Sequence, residues 1–327
     1  MIKKIMLCIL IFLLLIFIFF FVGQSQEKEN IIWGVNFSQK HARDLGLDWR
    51  ETYSALIDEL GVKYIKLAAH WDLLEPEDGK YDFSDLDWQI KKAEERGVEL
   101  LLVIGLKTPR WPECHVPGWA ESLTKEEQQK EILEMLEEVV LRYSDSQTIW
   151  AWQVENEPFF PFGQCSWTDK DFLKKEIELV RALDDRKRPV IISDSGEGSF
   201  WIQAARLGDI VGTTMYKKVW IHQLEIYVTY PFTPTFYARK AEIIKKLFGK
   251  EVIGVELQAE PWGPNLLYYS PLLEQEKTMN LERFRKNIEF AKQTGFDRFY
   301  LWGAEWWYWM KEKQNQSEIW LEAKKLF

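Results

Sequence analysis

The sequence is short of the residues that metal and thiol chemistry need, with three Cys and four His among 327. The histidines stand at 41, 70, 115 and 222, a spacing that assembles no ligand set, and the adjacent Cys114-His115 does not supply one. No metal and no cofactor is expected. Positive charge is also scarce: 42 Lys and Arg face 51 Asp and Glu, a net charge of −9 that argues against any nucleic-acid partner. No Gly-rich phosphate turn follows the first strand-like segment, which removes the support for an open nucleotide-binding sheet. No linker, repeat or low-complexity stretch interrupts residues 31–327, so one domain is expected there.

Tryptophan, by contrast, is in excess, at 17 residues beside 20 Phe and 12 Tyr. A core rarely needs so many indoles, whose N–H groups require partners when buried. A surface that stacks flat, partly apolar ligands would use them.

Lys3 and Lys4 precede an uncharged apolar run from Ile5 to Val22, then a polar stretch. Residues 1–25 are therefore expected to be a signal peptide, cleaved near Ser25 after the small residues of Gly23-Gln24-Ser25, or a retained membrane anchor. In both cases the remainder is exported, and the chain meets a membrane only through this segment. Cys8 lies inside the run, leaving Cys114 and Cys165 to an oxidising compartment, where a disulfide between them is expected.

From residue 31 onward, apolar strand-like segments alternate with amphipathic helical ones. Strands are expected at 31–36, 62–67, 98–104, 149–154, 190–193, 209–213, 251–257 and 299–303. Helices are expected at 49–60, 85–96, 124–143, 168–183, 200–206, 234–248, 276–294 and 317–325. Asp48 can cap the first, and Thr124 with Glu127 forms a capping box for the third. Eight such pairs predict an α/β protein, specifically a (β/α)8 TIM barrel preceded by the N-terminal helix.

Catalytic groups in such a barrel sit at the carboxyl ends of the strands. Strand 4 ends in Asn156-Glu157-Pro158, and strand 7 runs Ile253-Gly254-Val255-Glu256. Two carboxylates facing one cleft are the minimum for cleaving a glycosidic bond, one to protonate the leaving oxygen and one to attack or assist at the anomeric carbon. Glu260 also precedes a Pro beyond strand 7, but Glu256 is the better placed.

With these motifs the chain resembles glycoside hydrolase clan A, the retaining (β/α)8 enzymes, and among them cellulase-like family 5 and the families related to β-galactosidases and β-xylosidases. The resemblance covers residues 31–327 in layout, though its motifs are short. It implies that Glu157 is the acid/base, Asn156 binds the sugar 2-hydroxyl and Glu256 is the nucleophile. Tyr216, after strand 6, matches a tyrosine that hydrogen-bonds the nucleophile, and Trp302, on strand 8, matches the aromatic floor of the reacting sugar's site. The segment His70-Trp71-Asp72-Leu73-Leu74-Glu75-Pro76 resembles a Trp…Glu-Pro pattern after strand 2, and Thr108-Pro109-Arg110-Trp111-Pro112 is similarly placed after strand 3. Lys66 departs from the pattern, because many members carry Arg there, and a lysine is a point charge rather than a planar fork.

The expected substrate-binding set is therefore Asn156, Tyr216, Trp302, Trp71, His70, Lys66, Trp111, Trp262 and Glu305. Trp119, Trp152, Trp167, Trp306 and Trp307 also fall on strand ends or the segments after them, whereas Trp33, Trp49, Trp88, Trp150 and Trp320 read as packing. The expected activity is that of a monomeric retaining β-glycosidase on an oligo- or polysaccharide. A silent sugar-binding barrel and a transglycosylase are the alternatives.

Overall fold

The computed structural model describes residues 2–23 and 27–327. Eight parallel strands close into a barrel: β1 (Ile32–Phe37), β2 (Tyr64–Ala68), β3 (Glu99–Ile104), β4 (Ile149–Val154), β5 (Val190–Asp194), β6 (Ile210–Met215), β7 (Glu251–Gln258) and β8 (Arg298–Trp302). Each strand pairs with its sequence neighbours, and β8 closes the ring on β1 with Trp33 opposite Phe299. The strands are apolar on both faces because helices cover the outside and side chains fill the inside. Leu101, Ala151, Ile191, Ile253, Val255 and Tyr300 form that inner layer. Gly254 has no Cβ for a steric reason, since one there would stand 2.2 Å from the Phe299 ring.

Local chemistry sets the helix ends as the sequence indicates. The Asp48 carboxylate accepts from the N–H groups of Arg50 and Glu51, and Thr124 and Glu127 form the reciprocal box. Each cap satisfies N–H groups that have no partner within the helix.

Three features depart from the expected elements. Between β6 and the next helix, where no element is expected, Lys218–Ile221 and Ile226–Thr229 pair as an antiparallel hairpin. The helix expected from 276 begins later, at Leu281–Lys292, capped by Asn280, after a short turn of helix at Leu272–Gln275. A helix not expected at all, Ala304–Gln314, follows β8 and buries Trp306 and Trp307.

The apolar run forms a helix, Ile2–Phe21, which is exposed over residues 4–19 and long and apolar enough to cross a membrane. Its last turn touches the barrel. Phe20 packs on Phe200 and Phe236, and Phe21 on Phe232 and Phe236. The cleavage expected near Ser25 falls outside the described residues.

Candidate active site

The carboxyl ends of β2, β4, β6, β7 and β8 converge on one buried polar cluster. Lys66 of β2 donates from Nζ to Glu256 Oε1 at 2.9 Å and to Asn156 Oδ1 at 3.3 Å. The Tyr216 hydroxyl, one residue past β6, donates to Glu256 Oε2 at 2.8 Å. Both oxygens of Glu256 are thus held by donors, one of them an ammonium.

Glu157 follows β4 through an unusual backbone. Glu155 and Glu157 adopt φ of 60° and 45°, a left-handed conformation that costs a side-chain-bearing residue about 1–3 kcal/mol. Surrounding bonds hold it there. The Glu157 N–H donates to Ser193 Oγ at 2.8 Å, and its carbonyl accepts from Lys107 Nζ at 3.1 Å. Glu155 accepts from the N–H groups of Leu106 and Lys107 at 2.8 and 2.7 Å. Gly105 leaves room for that carboxylate, since a Cβ there would lie 2.6 Å from Glu155 Oε1.

The two glutamates sit in different surroundings. Burial pushes the Glu157 carboxyl well above its ordinary range, and the negative charges of Glu256, Glu113 and Glu197 add to the effect against Lys107. Among the described residues its Oε1 accepts only from a neutral hydroxyl, that of Thr214, at 3.1 Å. A proton is therefore favoured on Glu157. Glu260, the rival acid beyond β7, is held otherwise. Burial raises it, but Arg110 and His41 outweigh that and bring it down to about 2.

Arg110 lies over the Trp302 ring, 4.0 Å from its centroid, and pairs with both Glu260 and Glu305. Trp302, Trp262, Trp111, Glu113, Glu260 and Tyr268 are among the residues lining a cleft of about 450 Å³ beside the cluster. Trp262 stands edge-on to Tyr216 at 5.1 Å and so links the cleft to the glutamates.

The structure thus brings Asn156, Glu157, Glu256, Lys66 and Tyr216 together and sets Trp302, Trp262 and Trp111 along the cleft. It holds three other expected residues buried against protein partners. Trp71 is fully buried, its Nε1 donating to Glu75 at 2.8 Å. His70 is buried between Ser38 and Thr108, at 3.1 and 2.9 Å, with the His115 ring against it. Glu305 is fully buried on Arg110, 2.8 Å from Nη2, and on the Ser38 N–H. Trp152, Trp306 and Trp307 are likewise core rings.

Sequence reasoning passed over four residues of the cluster. Arg110 lay within a motif already singled out but carried no role of its own. The Glu113 carboxyl accepts from Asn156 Nδ2 at 3.2 Å, and burial pushes it up to about 8. Thr214 and Glu197 complete the set. Glu197 accepts from the Tyr216 N–H at 2.9 Å and the Tyr237 hydroxyl at 2.7 Å, and burial raises it to about 6. The one available signal was the nearness of Glu113 to Cys114. That cysteine does pair with Cys165, with Cα atoms 5.2 Å apart, tying the loop after β3 to the loop after β4.

A closed parallel barrel with glutamates at the mouths of strands 4 and 7 has the layout of the clan A glycoside hydrolases, and comparison with known proteins supports that placement. The model of the Glyco_hydro_42 family, described as beta-galactosidase, matches residues 46–130. The chain is 27% identical over 176 residues to the beta-galactosidase Bga of Halorubrum lacusprofundi, covering 48% of this chain and 24% of that protein. It is 28% identical over 127 residues to a probable mannan endo-1,4-beta-mannosidase A of Aspergillus clavatus, covering 35% and 33%. The chain thus spans a third or less of the length of these curated relatives. Among solved structures, GH5_18 from Streptomyces cattleya in complex with GlcNAc shares the fold with a TM-score of 0.59 at 14% identity, over 85% of this chain and 71% of that one.

Proposed function

We propose that residues 31–327 form a single catalytic domain, a retaining β-glycosidase acting on an oligo- or polysaccharide and exported by the N-terminal segment. The observation that carries this reading is the contrast between the two glutamates. Glu157 is buried beside Glu256 with a neutral hydroxyl on its carboxyl, which outweighs Lys107 and favours a proton, while Glu256 receives an ammonium and a phenol. A pair held in different protonation states is what acid-assisted displacement at an anomeric carbon needs.

In the first step Glu256 attacks the anomeric carbon as Glu157 gives its proton to the departing glycosidic oxygen. The C–O bond to the aglycone breaks, and a glycosyl ester forms on Glu256. Glu157, now ionised, takes a proton from water, whose oxygen attacks the same carbon and releases Glu256. Asn156 faces the 2-hydroxyl side of the sugar, and Trp302 and Trp262 offer apolar faces to pyranose C–H groups.

The test is hydrolysis of an aryl β-glycoside panel of galactose, mannose, glucose and xylose, followed by proton NMR of the first-formed anomer. Release of the β-anomer supports the mechanism, and release of the α-anomer refutes retention. A chain that binds sugars but frees no aryl group from any of them is the silent barrel instead.

A further inference from the structure

The N-terminal helix ends against Phe200, Phe232 and Phe236. Phe200 belongs to the loop after β5 and Phe232 to the loop after β6, while Phe236 lies in the first turn of the helix Pro234–Phe248. Loops after strands and first turns of the following helices lie at the end of a barrel that carries Glu157 and Glu256. The long apolar helix therefore meets the catalytic face, at its rim, and not the opposite end.

The same face collects the exposed apolar surface. Among the described residues beyond residue 22, eleven large apolar side chains are exposed, and eight of them are in the segments that follow barrel strands before the next outer helix. Outside the cleft lining these are Phe160, Phe200, Leu224, Ile226, Tyr269 and Leu273, with Leu273 79% and Leu224 64% exposed. The other three, Leu141, Leu247 and Leu321, are scattered singly on outer helices. Isolated apolar residues are ordinary, but a rim of them is not. Half of the six are aliphatic. Pyranose rings stack on aromatic faces, whereas aliphatic side chains with Phe and Tyr beside them match the boundary between lipid headgroups and acyl chains.

We propose that the catalytic face is apposed to the bilayer entered by the N-terminal helix, and that its substrate is the sugar headgroup of a lipid. The helix fixes the distance, since its last turn packs directly on the rim. The hairpin tip with Leu224 and Ile226 and the short helix with Leu273 dip into the interface around the cleft. The substrate part of this inference rests on the glycosidase reading, while the docking part rests on the helix and the rim alone.

The full chain, in a Cys8→Ser background, is reconstituted into phosphatidylcholine vesicles with a nitroxide on a single added cysteine. Leu224→Cys and Leu273→Cys report the rim, and Leu141→Cys and Leu247→Cys the outer helices. At least threefold lower accessibility to a nickel chelate at the two rim sites is expected, and equal accessibility overturns the docking. A mature chain that starts beyond residue 25 overturns it as well.

Activity then separates the substrate. One sugar is supplied as a soluble aryl glycoside and as a diacylglycerol glycoside in the same vesicles. The combined Leu224→Ser, Ile226→Ser and Leu273→Ser variant is expected to lose at least fivefold in turnover of the lipid-borne sugar and none on the soluble one. An equal loss on soluble oligosaccharides would assign the rim to a saccharide chain and refute a lipid substrate. Shielded rim labels in a protein inactive on every glycoside would refute the glycosidase reading while upholding the docking.

Discussion

Lys66 Nζ sits 2.9 Å from Glu256 Oε1 with the two side chains 0% and 2% exposed, so the charge that faces the proposed nucleophile is a lysine sealed from solvent. Breaking a buried pair on one side leaves an uncompensated charge. Lys66→Met is expected to lower kcat/KM by about 100-fold, the scale for loss of one preorganised donor, and to lower thermal stability with it. Lys66→Arg is expected to recover only part of the activity, because Nζ also holds Asn156 at 3.3 Å in a site shaped around a single ammonium. Steady-state kinetics and melting curves on both variants check this.

Replacing Glu157 by Gln is expected to lower turnover of an unactivated glycoside by about 10²–10⁴-fold. A dinitrophenyl glycoside, whose leaving group needs no proton, should suffer far less in the first step. Glu157 is raised by burial and by its acidic neighbours, so the acid form is lost as pH rises through that elevated pKa. Wild-type activity should accordingly fall on the alkaline side, and the variant should lack that limb. A variant that keeps both the limb and the leaving-group dependence would remove Glu157 from the role.

Glu113 carries a stability signature. Its carboxyl is pushed up to about 8 by burial, against an ordinary value of 4.5. Between those values the folded chain holds a proton that the unfolded chain has released, so this group's contribution to stability falls as pH rises from about 4.5 to about 8. Glu113→Gln should flatten part of that decline and melt higher than wild type at pH 8. The gain is at most about 5 kcal/mol, since each tenfold change in proton affinity corresponds to about 1.4 kcal/mol. Denaturant unfolding of both proteins at pH 5 and pH 8 measures the difference.

The Cys114–Cys165 bond closes a 51-residue separation that includes all of β4. Its loss is expected to cost about 2–5 kcal/mol. The loss should also lower activity beyond what the melting point explains, because Glu113 adjoins one cysteine and Glu157 lies between the two. Comparing wild type with the Cys114→Ser, Cys165→Ser pair, well below both melting temperatures, tests this.

All eight barrel strands were readable within about two residues, since each is a short apolar run between polar helical stretches, and that pattern has one compact solution. The helix Ala304–Gln314 was not, because Glu305, Trp306, Trp307 and Tyr308 are all buried and an element buried all round shows no apolar stripe. The hairpin was hidden for the opposite reason. Its strands are only half-buried and its turn, His222-Gln-Leu-Glu225, contains no Gly or Asn. Strand-end chemistry exposed Asn156, Glu157, Glu256 and Tyr216. Arg110, Glu113 and Glu197 come from irregular loops whose partners are set by packing, and there only three-dimensional contact reveals them. The tryptophan excess divides the same way, with Trp111, Trp262 and Trp302 along the cleft and Trp71, Trp152, Trp306 and Trp307 in the core.

The left-handed backbone at Glu155 and Glu157 has one more effect. A regular strand sends successive side chains to opposite faces, yet Asn156 reaches Lys66 and Glu113 while its neighbour Glu157 reaches Thr214, all in one mouth. The turn lets consecutive residues serve a single chamber, and it screens replacements by shape as well as by chemistry. β-Branched residues are refused at both positions, and glycine is welcomed. Replacing Glu157 by glycine would relieve that strain while removing the proposed proton donor, so the backbone itself does not guard the acid at this position.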